Sequence, residues 1–128
     1  MPAPHRHKFV AALLAFIVGG LGLHRRYVGD ARWWIYPLWL IGGMAVFALL
    51  GSKRHFWILV PALLPVWIGF AQSMAIAVTE DARWDARHNA RSALASQNGW
   101  NCVLLAIVVL LVGTTICLTS IILSAQYY

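Results

Sequence analysis

This chain of 128 residues is 61% hydrophobic and 11% charged, with a formal charge of +6. So little polar surface cannot wrap a water-soluble domain, which makes a bilayer the expected solvent. The positive charge does not call for nucleic acid, because the arginines flank apolar runs, where membrane orientation and anionic lipid account for them.

A spanning helix needs roughly 20 mostly apolar residues. After a basic tail, residues 1–8, the first apolar run is Phe9–Leu23. It is short, and tilt, local thinning and snorkelling of Lys8 and Arg25 would bring it to span length. No small-x-small site follows it, so it reads as a retained helix rather than a signal peptide. The run closes in GGLGLHRRYVGD, Gly19–Asp30. Gly19, Gly20 and Gly22 loosen the helix end and admit another backbone, and Gly29 suits a tight turn. Tyr27 fits the headgroup boundary, while Arg25 and Arg26 can reach lipid phosphates or cap helix carbonyls. His24 reads as bonded to a backbone carbonyl or a headgroup, with pH sensing or ligand binding as the alternative.

Residues 33–50 and 56–79 form the second and third expected spans, bent or loosened by Pro37, Pro61 and Pro65. Residues 80–100, EDARWDARHNARSALASQNGW, read as an amphipathic charged helix continuing the third span. It carries an arginine stripe, Arg83, Arg87 and Arg91, suited to anionic lipid at about 1 kcal/mol each. Trp84 and Trp100 would sit at the interface, and a turn at Gln97–Gly99 would start the last span, residues 101–125. The expected fold is an all-α integral membrane protein of four transmembrane helices, the first short, with a helical extension after the third.

Helix contacts in lipid depend on close backbone approach more than on hydrophobic drive. Ala11, Ala15 and Gly19 line one face of the first helix, and Gly69, Ser73 and Ala77 line one face of the third, so these two faces are expected to pair. Counting lysines and arginines loop by loop places the first and third loops together on the cytoplasmic side of a plasma or inner membrane, both termini opposite. The second loop contributes Lys53 and Arg54, and Tyr127 and Tyr128 suit an interfacial belt. All four acids, Asp30, Glu80, Asp81 and Asp85, fall in those two loops, so ion pairs are expected from Arg25, Arg26 and Arg32 to Glu80, Asp81 and Asp85.

The segment AALLAFIVGGLGLHRRYVGDARWW, Ala11–Trp34, resembles the hairpin of the TM-two (two-transmembrane) domain family, whose turn reads HRFYLG. His24, Arg25, Tyr27 and Gly29 match it, Val28 replaces leucine and Arg26 replaces phenylalanine. Pro65–Ile76 looks like the family's closing stretch, with Ala71 or Gln72 where an acid is expected. The resemblance covers residues 8–79 and implies a membrane hairpin without implying a defined biochemical activity.

Catalytic chemistry is thin. No acid, lysine or arginine occupies the middle of an expected span, which argues against a proton relay. No nucleophile with a spaced base, phosphate loop or zinc pattern occurs, and His5 and His7 alone make a weak metal site. Cys102 and Cys117 on one helix stand about 22 Å apart, too far for a disulfide. The expected function is non-enzymatic, without cofactor or metal: interaction and assembly with membrane lipids, anionic ones among them, with a membrane-protein partner, or with further copies of the chain. The alternative is a small homo-oligomeric channel or pore, suggested by Gln72, Ser73, Thr114, Thr115 and Thr119.

Overall fold

The computed structural model describes residues 3–50 and 58–126, apart from the side chain of Ser124. Lys53 and Arg54, the start of the expected third span, and Tyr127 and Tyr128 lie outside the described residues. The fold is an all-helical bundle: α1 (Lys8–Val18), α2 (Leu23–Tyr27), α3 (Ile35–Leu50), α4 (Leu59–Ala62), α5 (Leu64–Val78), α6 (Asp81–His88) and α7 (Gly99–Gln126).

The described residues do not form the four expected spanning helices. Among the described residues one helix is long and apolar enough to cross a membrane: Gly99–Leu123 of α7, 25 residues with mean hydropathy 2.7. The first apolar run fails to extend because it folds back on itself. After 11 residues, about 16 Å of helix against a hydrocarbon core of about 30 Å, α1 gives way to a single tight turn at Gly19–Leu21. Gly22 then adopts a left-handed φ of 68°, a conformation that disfavours any side chain. There is no room for one either, since a Cβ would lie 2.5 Å from the Trp33 carbonyl oxygen and 2.9 Å from Tyr36 Cβ. The short helix α2 therefore runs back toward the chain's start, where the Tyr27 hydroxyl accepts a 2.8 Å hydrogen bond from the His7 amide.

The third apolar run is also divided. Leu63 interrupts it between α4 and α5, with Pro61 and Pro65 on either side; a proline lacks the amide that would continue the ladder. α3 lies against α4, with Gly43 close on Ala62 and the Trp39 indole donating to the Pro61 carbonyl at 2.9 Å. It buries no side chain fully.

α1 and α5 form the centre, running antiparallel. The small-residue stripes of the two helices meet there: a Cβ built on Gly19 would fall 2.6 Å from Gly69 Cα, so the two backbones are in direct contact. Ala11 and Ala15 are fully buried and Ala77 nearly so. Ser73, with no exposed surface, donates from Oγ to the Ala12 carbonyl at 2.7 Å, a contact commonly worth about 1 kcal/mol. α7 completes this core through Cys102, Leu105, Ala106 and Val109, one stripe at helical spacing. Beyond Val109 its flank is open: Leu111 is 63% and Ile121 58% exposed.

The charged segment after α5 does not continue that helix. Thr79 and Glu80 are both extended, with ψ of 134° and 139°, so α6 starts afresh and stops at His88. Arg83 and Arg87 lie on α6 and are exposed, whereas Arg91 lies beyond its end. Trp84 does not face an interface; it is 3% exposed, while Trp100 is 77% exposed.

Candidate functional site

The fold-back of α1 and α2 brings the lysines and arginines of the first two basic segments to the end where α5 leads into α6. The described lysines and arginines fall in three segments, 6–8, 25–32 and 83–91, which meet at the end of the bundle where α5 finishes and α7 begins. This corrects the expected placement of the N-terminus opposite the first and third loops, because the N-terminal segment lies between them. Arg6 holds it there. Its amide donates to Asn89 Oδ1 at 2.8 Å, its carbonyl accepts from Trp84 Nε1 at 2.8 Å and Asn89 Nδ2 at 3.0 Å, and its guanidinium donates to the Val28 carbonyl. Gly29, at φ 87°, leaves the space this guanidinium fills: a Cβ there would lie 2.7 Å from Arg6 Nη2.

The inserted segment also changes the ion pairs. Lys8, 5% exposed, pairs with Asp81 at 2.5 Å and donates to the Thr79 carbonyl at 2.6 Å. Arg25 pairs with Asp30 at 2.8 Å, five residues along the chain. The expected pairs of Arg25, Arg26 and Arg32 with Glu80, Asp81 and Asp85 do not occur among the described residues. Asp81 is taken by Lys8, while Asp85 accepts from the Ser96 amide and hydroxyl and from Asn89. Glu80 precedes α6 and makes no capping bond. Arg26 lies over the Trp33 ring, 5.0 Å from its centroid, and the Arg32 amide donates to Asp30 at 2.9 Å. A buried pair is satisfied by whichever charge the fold brings within reach, and proximity along the chain favours Asp30 for Arg25.

Electrostatics follow from these bonds. The Arg32 amide and the Arg25 guanidinium hold Asp30 below the usual carboxylate range. Burial acts to raise Asp81, but its bonds to Lys8 and Asn98 outweigh it and the net shift is downward. Asp85 is lowered in the same way, its bonds to Ser96 and Asn89 overcoming burial.

His24 occupies the inner side of this end and is only 2% exposed. It does not bond a backbone carbonyl: its Nε2 meets Gln72 Oε1, its ring stands edge-on to Tyr36 at 5.7 Å, and its Nδ1 is buried without a hydrogen-bond partner. Gln72 closes the group by donating to the Tyr36 hydroxyl at 3.1 Å. Burial lowers the pKa of His24, the Gln72 bond opposes this and Arg25 adds to it. With Nε2 carrying the proton toward Gln72, Nδ1 is left as an acceptor.

Next to His24 is a cleft of about 510 Å³ between the turn, α5 and α6. Arg25, Trp84, Arg87 and His88 line it with His24 and Gln72. His88 lies against Trp84 with ring centroids 4.2 Å apart and the rings tilted by 43°, and burial, followed by the charges of Arg6 and Arg87, lowers its pKa.

The sequence gives no sign of Asn89 or of the bonds that Arg6, Trp84 and Asp85 make here, since each joins residues distant along the chain or lacks a periodic signal. The polar residues that suggested a pore are largely engaged. Gln72 and Ser73 bond other helices, and Thr115 Oγ1 donates to Leu111 within α7 at 2.8 Å. No cluster of three His, Cys, Asp or Glu suited to a metal occurs among the described residues.

No family model, curated protein or solved structure matches this chain. The TM-two resemblance thus stands on the motif residues alone, and His24, its first motif residue, packs against Gln72, the residue standing near the expected acid.

Proposed function

We propose that this chain is a non-enzymatic membrane-associated protein, anchored by α7, that works by interaction and assembly at an anionic membrane surface. The observation that carries this reading is the juxtaposition of α7 with the charged end. A 25-residue apolar stretch, only 22% buried over its most apolar window, begins directly beneath segments rich in arginine. Such a helix left half-open in water would expose a large apolar surface, whereas lipid would cover it. Arg83, Arg87 and Arg91 are exposed and would contact anionic headgroups, each worth about 1 kcal/mol near the surface. The likeness of residues 11–34 to a TM-two hairpin supports the same class.

Two measurements on the full chain test the reading. Alkaline washing of membranes should leave the chain in place. Joint replacement of Arg83, Arg87 and Arg91 by glutamine should reduce copurifying phosphatidylglycerol and weaken preference for anionic over zwitterionic vesicles by about 100-fold. Release on washing would remove the anchor, and an unchanged lipid preference would remove the arginine contacts.

A further inference from the structure

The cleft beside His24 has a surplus of positive charge and a buried polar atom with nothing to bond. Arg25 and Arg87 both line it. The single carboxylate there, Asp30, already has both oxygens engaged, Oδ2 by Arg25 and Oδ1 by the Arg32 amide. Arg87 has no ion pair among the described residues. His24 lines the same cleft with an unpartnered Nδ1, and leaving such a group buried and unsatisfied costs about 1–3 kcal/mol. The volume, about 510 Å³, lies in the usual range for small-ligand sites.

We propose that this cleft binds a phosphate group, held by Arg87 and Arg25, and that binding is accompanied by protonation of His24 at Nδ1. Arginine matches phosphate through two parallel N–H donors. The proton comes from solvent: neutral His24 presents Nδ1 as an acceptor, which a phosphate oxygen cannot satisfy, and protonation makes it a donor while Nε2 keeps Gln72. The groups facing His24 are Arg25, Tyr36 and Gln72, with Asp30, Arg87 and His88 across the cleft. Without an anion, burial first and then the nearby arginines, Arg25 for His24 and Arg6 and Arg87 for His88, disfavour the charged imidazoles, and a phosphate dianion or diester shifts that balance. This inference deepens the proposed membrane-surface role and rests on it for its setting, since the phosphate could be free or part of a lipid headgroup.

The test uses the full chain with ¹⁵N-labelled histidine in an uncharged detergent, at constant ionic strength. Inorganic phosphate or a short-chain phosphatidylglycerol is added, and the His24 ring resonances and their titration midpoint are followed. Binding should shift Nδ1 toward its protonated position and raise the midpoint. Arg87→Gln should weaken binding about tenfold, as expected for one charge-assisted contact. Arg26→Gln, which removes the same charge from a residue stacked on Trp33 outside the cleft, should leave it unchanged. Response at lower concentration to the lipid assigns the headgroup, and response at lower concentration to inorganic phosphate assigns the free anion. A silent His24 with both probes, or equal weakening by Arg26→Gln and Arg87→Gln, overturns the site. Retention in anionic vesicles with a silent His24 defeats the cleft alone, and a responsive His24 in a chain that vesicles do not retain defeats the anchor alone.

Discussion

Gly69→Ala tests the backbone contact at the centre of the bundle. The added Cβ would lie 2.6 Å from Gly19 Cα, 2.9 Å from its carbonyl carbon and 3.0 Å from the Ala15 oxygen, all backbone atoms that no rotamer change can move. Carbon contacts settle at about 3.5–4.0 Å, so α1 and α5 must part by about 1 Å. The Ser73–Ala12 bond, one turn away at 2.7 Å, would then stretch to about 3.7 Å, beyond hydrogen-bond range. Overpacking costs about 1–3 kcal/mol and the lost bond about 1 kcal/mol, giving about 2–4 kcal/mol in all. Gly113→Ala is the matched control. It is also helical, nothing lies within 4 Å of the added atom, and alanine should stabilise α7 by about 1 kcal/mol if anything. Unfolding of the full chain in uncharged micelles, followed by circular dichroism, measures both variants. If Gly69→Ala proves as stable as Gly113→Ala, the two backbones are not in contact and the packing described for α1 and α5 is wrong.

Three further outcomes follow from the charged end. Gln72→Leu leaves His24 Nε2 without its acceptor and should destabilise the fold by about 1–3 kcal/mol, measured in the same assay; no change would mean that the His24–Gln72 bond contributes nothing. His24 and His88 both have pKa values below the 6.5 of the free side chain, so the unfolded chain takes up protons first. Stability should therefore be full above pH 6.5 and fall as pH drops from there toward the folded values, with a second loss below 3.8 as Asp30, Asp81 and Asp85 protonate. A flat profile between pH 7 and 5 would contradict the histidine environments. Gln72→Glu places a carboxylate on His24, raises its pKa and should shrink or reverse the loss near pH 6; an unaltered pH slope would show that residue 72 does not reach the imidazole.

Much of the helical content was legible along the chain, because apolar runs and small-residue stripes are local patterns. α7 is the clearest case, since an unbroken run from Cys102 to Leu123 without an ionisable residue other than cysteine needs no tertiary partner to define it. Phe9–Leu23 shows where composition stops being informative. Its residues are as apolar as those of a short span, yet whether a helix continues or reverses at Gly19–Gly22 depends on one left-handed glycine and on what the returning chain can bond. His7 with Tyr27, Arg6 with Val28 and Lys8 with Asp81 close that reversal, and each joins residues at least 20 apart. The cleft beside His24 has the same origin. Its residues come from the turn, α5 and α6, and neither Arg87 nor Gln72 carries any local mark of its neighbour. By itself the sequence determined an all-helical chain, in which the last apolar run was one of four expected spans, and the small-residue faces available for close packing. The tertiary structure alone decided that the first run folds back, that the N-terminus joins the basic loops at one end, and which acids the cations meet. Helix periodicity is written in near neighbours, whereas charge pairing and chain reversal are settled by whichever distant groups the packed backbones bring within a few ångströms.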